Sequence, residues 1–142
     1  MIWTFKIKLA STPFTDLPWA ADIEIDSSAT LEDLHLAIQD AVEFDNDHLY
    51  EFYISKTESS YRPSAIRFDE GDGFDYATVA LENLYPLESG KNLYYLFDYG
   101  DNWLFKISKS RKKPQEPQPG IRYPRRIGEM GVRPEQYPDF DE

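Results

Sequence analysis

Two aromatic-rich runs on either side of a short acidic segment constrain the fold of this chain most strongly. In residues 93–97 and 103–107 large apolar side chains recur at every second position, and Asp98-Tyr99-Gly100-Asp101-Asn102 lies between the two runs. A period of two is typical of strands, and a glycine-containing segment can join two strands as a hairpin. We therefore predict a β-hairpin within residues 89–110 whose arms belong to the core. Asp98 to Asn102 supply the turn, in which Gly100 is free to adopt a positive φ.

The N-terminal part of the chain shows the same period. Residues 2–10 and 17–26 each place apolar side chains on one face, which predicts an antiparallel pair joined by the loop at 11–16. Residues 48–55 predict an aromatic-rich strand, and residues 65–68 predict a short one. Residues 69–75 form an acidic turn region. The side chains predicted to point inward in the first pair are Trp3, Phe5, Ile7, Leu9, Trp19, Ala21, Ile23 and Ile25.

The period changes to that of a helix after residue 30. Thr30 followed by Asp33 is typical of a capping box, and the apolar stripe predicts a helix over residues 31–44. Gln39 falls on the polar side of this helix, and Leu36 is the one apolar residue that falls there with it. Residues 76–87 predict an extended piece followed by a helical turn that ends at Pro86.

The composition shifts after Ser110. Residues 111–120 contain three prolines and predict an exposed linker, while residues 121–142 contain too many turn formers for regular structure. We expect this last segment to pack on a core domain formed by residues 1–110. The predicted fold class is α+β: a mostly antiparallel sheet with a helix packed on one face and a proline-rich C-terminal segment wrapping the body.

The charge is segregated along the chain. The formal net charge is −11, with −12 in residues 1–110, +5 in residues 111–133 and −4 in residues 134–142. The acidic body repels phosphate backbones and therefore disfavours nucleic-acid binding. The basic stretch at residues 111–133 is the one part of the chain that favours such binding. The same stretch could instead dock on the acidic body of its own chain.

Two absences narrow the class of protein. The chain has no cysteine, which excludes disulfides, thiolate metal sites and thiol nucleophiles and fits a reducing cytoplasm. It has no apolar run of the length that spans a membrane, and its first ten residues alternate instead of forming a secretory signal. We expect a cytoplasmic protein that does not contact membranes.

Three segments together resemble one known family. They are LEDLHLAIQDAVEFDNDHLYEFYI at 31–54, YLFDYGDNWLFKI at 95–107 and YPRRIGEMGVRPEQYP at 123–138. Their order and their aromatic-Asp-aromatic-Gly-Asp-x-Trp centre are similar to the plasmid pRiA4b ORF-3-like family. The resemblance implies a compact α+β domain of mostly uncharacterised function, associated with plasmids and mobile elements. Phe105 stands where family members often have histidine, and the C-terminal element lacks the cysteines that they often carry.

The inventory of chemical groups is small. The two histidines, His35 and His48, fall on separate elements and are expected to be structural, and Gly71 breaks the EF-hand pattern in the acidic segment. We assign no catalytic residue, metal ligand or cofactor. Carboxylate, arginine and aromatic groups can together bind a small polar or cationic ligand. The candidate ligand-binding residues, grouped in one cleft beneath the tail, are Asp98, Tyr99, Asp101, Trp103, Tyr123 and Arg125.

The sequence leaves three functions open. The first is a non-enzymatic protein-binding or accessory module, whose partner is another protein or a second copy of the chain. The second is a small-molecule enzyme that uses carboxylates beside the aromatic hairpin. The third is a nucleic-acid-associated accessory protein of a mobile element. The acidic surface, the tail and the surplus of aromatic side chains favour the first.

Overall fold

The fold is sheet-rich and contains little helix. A computed structural model describes residues 1–58, the backbone of residues 66–69, and residues 75–137. Residues 70–74 of the acidic segment, including Gly71, and the last five residues of the C-terminal segment lie outside the described residues. The chain forms β1 (Ile2–Ser11), β2 (Trp19–Asp26), α1 (Leu31–Val42), β3 (Tyr50–Ser55), β4 (Ile66–Asp69), a 3₁₀ helix (Tyr76–Thr78), α2 (Leu81–Leu84), β5 (Asn92–Phe97), β6 (Trp103–Lys109) and β7 (Arg125–Gly131).

The seven strands form one sheet in the order β4-β3-β5-β6-β1-β2-β7, and every neighbouring pair is antiparallel. The predicted β1–β2 pair is present, and so is the β5–β6 hairpin, in which Tyr95 lies opposite Phe105 and Phe97 opposite Trp103. These four aromatic side chains are fully buried. The arms of the hairpin are therefore core, as their alternation predicts.

Helix α1 begins with the predicted capping box. The Thr30 side chain accepts the Asp33 N–H, and the Asp33 carboxylate accepts the Thr30 N–H. The helix ends at Val42, two residues early, because Glu43 takes a left-handed conformation with φ of 60°. Its buried face contacts β2 and β7, and the side chains of His35 and Gln39 reach β5.

The expectation of no regular structure after residue 121 is wrong. Residues 125–131 form β7, which pairs with β2 through a register shift between Asp22 and Ile23. The side chains of β7 do not alternate between buried and exposed positions. Its extended conformation is instead stabilised by pairing with β2. Gly131 is required where β7 ends, because it has φ of +83° and a Cβ there would lie 2.0 Å from the carbonyl oxygen of Pro18.

The segment between β6 and β7 also touches the body. Gln115 and Ile2 exchange backbone hydrogen bonds of 2.6 and 3.1 Å, and the side chains of residues 111–120 are exposed. Within the residues that the structure describes, no helix is long and apolar enough to cross a membrane.

Candidate functional site

The acidic segment between β5 and β6 is a turn in which Asp98 holds the backbone. Oδ1 of Asp98 accepts the N–H groups of Gly100 and Asp101 at 3.1 and 3.3 Å, and the Asn102 N–H donates to the Asp98 carbonyl at 2.6 Å. Gly100 does not use its freedom to adopt a positive φ. Asp98 and Asn102 take that conformation instead, with φ of 63° and 53°. Aspartate and asparagine adopt it more readily than other side chains, so this turn does not depend on glycine.

The second carboxylate oxygen of Asp98 meets a histidine and a tyrosine from distant parts of the chain. Nε2 of His48 lies 3.3 Å from Asp98 Oδ2 and 2.9 Å from the Tyr137 hydroxyl. That hydroxyl donates to Oδ2 of Asp47, so it accepts from His48. Gln136 donates to the other oxygen of Asp47 at 2.7 Å. These contacts fasten the end of the C-terminal segment to the loop before β3.

Asp101 is a partly exposed carboxylate that lies beside Asp98. Partial burial and the nearby charge of Asp98 raise the pKa of Asp101, and His48 offsets part of this rise. Tyr99 is 42% exposed, and its hydroxyl donates to the carbonyl of Tyr50 at 3.0 Å. Of the predicted residues at this turn, Asp101 and Tyr99 are therefore the accessible ones.

Trp103 is a core residue. Its ring lies 5.4 Å from that of Phe14 and 4.9 Å from that of Phe44, centroid to centroid, and it is fully buried. A cavity of about 240 Å³ reaches it between Phe14 and the segment that contains Arg133 and Glu135. This cavity is small compared with the ~300–1,000 Å³ of most ligand pockets.

The structure does not bring the remaining predicted residues to this turn. Nε of Arg125 donates to Oε1 of Glu24 at 2.7 Å, and the Arg125 guanidinium lies 5.8 Å from the Tyr123 ring. Glu24 is opposite Thr4, and Thr4 accepts the N–H of Ser110 at the far end of β6 from the turn. The six candidate residues therefore form two groups at opposite ends of the sheet.

His35 belongs to a separate buried network. Its Nδ1 lies 2.5 Å from the Tyr95 hydroxyl, and its Nε2 lies 2.6 Å from Oδ1 of Asn46. Gln39 donates to the Tyr95 hydroxyl at 2.9 Å and accepts the Asn46 N–H at 3.0 Å. When neutral His35 carries its proton on Nε2, it donates to Asn46 Oδ1 and its Nδ1 accepts from the Tyr95 hydroxyl, so each group of the network has a partner. Burial lowers its pKa to about 4, and the Asn46 hydrogen bond offsets part of this fall.

This network shows that one helix prediction is wrong. Gln39 falls on the polar side of α1 by spacing, yet only 3% of it is exposed. A buried amide is tolerated because its donor and its acceptor both have partners. The ring of His35 also stacks on that of Tyr50 at 3.6 Å, which fixes the histidine against the sheet. Among the described residues, no group of three or more histidine, aspartate or glutamate side chains could hold a metal ion.

The comparisons with known proteins decide the family. A family model described as plasmid pRiA4b ORF-3-like protein matches residues 2–137. The chain belongs to this family. A solved structure of a protein of unknown function, MM3350 from Methanosarcina mazei Go1, is similar with a TM-score of 0.71 and 24% identity. The likeness covers 90% of this chain and 68% of that one, and it shows the shared fold. No protein of curated function matches the sequence.

In the pRiA4b ORF-3-like chain, β7 is one of the two edge strands of the described sheet, and sequence patterns did not indicate this edge. In the described residues, β7 pairs with β2 alone. Ser27 donates its N–H to the Met1 carbonyl, so the backbone groups of Ser27 face β1. Backbone groups along a strand point alternately to its two neighbours, so those of Ala20, seven residues earlier, face β7. Met130 lies opposite Ala20, so its backbone groups face β2, and those of Glu129 face away from the sheet.

Large apolar side chains are exposed along this edge. The exposed fractions are 42% for Ile127, 65% for Met130 and 56% for Val132. We call β7 together with Val132 the β7 edge. Tyr137 and the β7 edge are the features that sequence reasoning missed as functional candidates. The sequence did contain a signal for the β7 edge, namely its apolar residues. The turn formers around them indicated a loop instead of a strand.

Proposed function

We propose that this pRiA4b ORF-3-like protein is a non-enzymatic accessory module that binds an extended segment of another protein along the β7 edge. The observation that carries the proposal is an edge strand with unpaired backbone groups and exposed apolar side chains. Extended segments add to such edges through main-chain hydrogen bonds, and alternate side chains supply the specificity. In this proposal the proline-rich C-terminal segment wraps the body and presents β7 to the partner.

The β7 edge is only partly protected against pairing with another strand. Edge strands are commonly blunted by inward-pointing charges, prolines or bulges. β7 has a bulge beside Ile127, and its charged side chains are held by partners: Arg125 by Glu24, and Arg126 by Glu129. Ile127, Met130 and Val132 remain as apolar contacts for an incoming strand.

Charge favours a different protein over a second copy as the occupant. Two copies of a chain with a net charge of −11 repel each other. The sequence around β7 is locally basic, with +5 over residues 111–133, and Arg122 and Arg125 have exposed side chains. We therefore propose that the partner segment alternates apolar residues and carries acidic residues that face this basic region.

Two carboxylates near the β5–β6 turn, Asp98 and Asp47, support the non-enzymatic form of the proposal. One oxygen of Asp98 is used by the Gly100 and Asp101 amides, and the other lies beside His48. Asp47 is held by Gln136 and Tyr137. A general acid or base needs a free carboxyl group within reach of a bound substrate, and Asp98 and Asp47 are already used in structural hydrogen bonds.

Site-specific photocrosslinking tests the proposal. A benzophenone amino acid replaces Met130, and a matched control carries it at Leu49, which is 63% exposed outside the β7 edge. We expect a discrete adduct with one other protein in cells of the native host from position 130 and none from position 49. A synthetic peptide of the crosslinked segment should bind the unmodified chain with 1:1 stoichiometry.

A second substitution shows whether the adduct depends on the β7 edge. Ile127→Lys places a lysine on the edge and should abolish both the adduct and peptide binding. Leu49→Lys, outside the β7 edge with an exposed fraction of 63%, should leave them unchanged. The proposal is overturned by equal adducts from positions 130 and 49, by no adduct, or by an adduct with a second copy alone.

A further inference from the structure

A cleft at the opposite end of β6 from the acidic turn has the composition of an anion site. Its volume is about 410 Å³, within the ~300–1,000 Å³ range of small-molecule pockets. It lies between β1, the end of β6 and the segment that joins α2 to β5. Its apolar walls are Trp3, Tyr85, Pro86 and Leu87, and its cationic groups are Lys91 and Lys109.

The charge of this cleft differs from that of the chain. The sequence has 26 acidic and 15 basic side chains, yet among the described residues no carboxylate lines the cleft and two ammonium groups do. The exposed residues 111–113, Arg-Lys-Lys, follow Lys109 closely in the chain. The residues that line the cleft therefore carry a net positive charge on an acidic protein, and this charge attracts small anions.

The cleft is built from side chains that the fold holds in place. Trp3 and Tyr85 pack edge to face with their ring centroids 5.9 Å apart, and Nζ of Lys109 lies 4.5 Å from the Trp3 ring centroid. The Lys91 side chain is only 11% exposed and reaches Oε2 of Glu88 at 2.8 Å. A partly desolvated ammonium attracts an anion more strongly than a fully hydrated one does.

We propose that this cleft binds a small ligand that carries an anionic group, a phosphate or a carboxylate, on a planar aromatic ring. The ring packs against Trp3, Pro86 and Leu87, and the anionic group bridges Lys91 and Lys109. The ligand anion replaces Glu88 on Lys91. That exchange is favourable because Glu88 is 70% exposed and a surface ion pair contributes little. The site lies outside the β7 edge and does not depend on the function proposed for that edge.

Nuclear magnetic resonance titration of the full chain tests the proposal with defined probes. The indole N–H signals of the three tryptophans report on the cleft through Trp3, while the fully buried Trp19 and Trp103 serve as internal controls. The phosphate arm compares AMP with adenosine, and the carboxylate arm compares 2-naphthoate with 2-naphthamide. We expect one anion to shift Trp3 saturably with Kd below about 1 mM, and its neutral counterpart to bind at least about ten times more weakly.

Three substitutions in the cleft and one control substitution separate an anion site from a merely apolar cleft. Lys91→Gln and Lys109→Gln should each weaken binding of the anion about ten-fold, whereas Lys8→Gln, at an exposed position on β1, should not change it. Glu88→Gln should tighten binding about two- to three-fold because it removes the competing carboxylate. The arm that responds identifies the anionic group as phosphate or carboxylate.

Three results would overturn this proposal. They are the absence of a saturable Trp3 shift with either anion, equal binding of the neutral counterparts, and unchanged affinity in both lysine variants. Unshifted Trp19 and Trp103 signals in each variant establish that it is folded.

Discussion

The Tyr95 hydroxyl lies 2.5 Å from Nδ1 of His35, and this contact joins helix α1 to a central strand of the sheet. Tyr95 is fully buried and has Gln39 as its second partner. Tyr95→Phe would remove the partner of Nδ1 of His35 and the acceptor of the Gln39 side-chain NH₂ group. We expect it to lower the free energy of unfolding by about 1–3 kcal/mol, measured by urea denaturation. Tyr99→Phe removes an exposed hydroxyl and should cost less than about 1 kcal/mol; equal losses would contradict the role of the network.

The same network predicts a pH dependence of stability. The pKa of His35 falls from 6.5 to about 4 on folding, so the unfolded chain binds a proton at a higher pH than the folded chain does. The contribution of His35 is therefore complete above pH 6.5 and is lost progressively as the pH falls from 6.5 to 4.

His35→Gln isolates this contribution from those of the carboxylates. Glutamine does not titrate, so the variant should be less stable than the natural chain at pH 7, and the difference should narrow between pH 6.5 and 4. Urea midpoints at several pH values provide the measurement. A difference that stays constant across this range would show that His35 is not kept neutral by burial.

The acidic turn predicts opposite behaviour for its two aspartates. Asp98 accepts the Gly100 and Asp101 amides from a left-handed conformation, so Asp98→Ala should cost about 1–3 kcal/mol of unfolding free energy. Asp101→Asn removes a carboxylate whose pKa is raised by burial and by Asp98. At pH 7 its melting temperature should be unchanged or slightly higher. Thermal unfolding of both variants checks this, and a large loss in Asp101→Asn would place Asp101 in the scaffold of the turn.

The close contact between Gly131 and Pro18 leads to a prediction about the stability of the β7–β2 pairing. Gly131→Ala combines the strain of a positive φ with a Cβ 2.0 Å from the Pro18 carbonyl oxygen, so β7 should detach at its end. Gly120→Ala is the matched control, because Gly120 has φ of +80° with no atom within 4 Å of the added Cβ. The control should cost about 1 kcal/mol, and Gly131→Ala should cost clearly more. Equal costs would mean that Pro18 and Gly131 are not in close contact.

Local patterns were sufficient to predict much of the fold. The alternation in residues 2–10 and 93–107, together with the Thr30 and Asp33 pair, predicted two hairpins and the start of α1 correctly. These features depend on neighbours in the sequence, because the side chains that point into the main core recur at the period of each element. The family was predicted from the motifs at residues 31–54, 95–107 and 123–138.

What the sequence could not supply depends on contacts between distant residues. β7 exists because β2 offers a free edge, and nothing in residues 125–131 shows that a partner strand is available. Gln39 is buried because Tyr95 and Asn46 meet it, and Tyr137 reaches His48 across 89 positions of the chain. The grouping of Arg125 with Asp98 failed for the same reason, since Glu24 holds the arginine at the other end of the sheet.

Amide hydrogen exchange along β7 tests the open edge most directly. The Met130 N–H faces β2 and should exchange slowly, while the Glu129 N–H faces away from the sheet and should exchange at nearly the rate of an unstructured amide. Binding of the partner segment should then slow exchange at Glu129 alone of this pair. Slow exchange at Glu129 in the isolated chain, or fast exchange at both positions, would contradict the account.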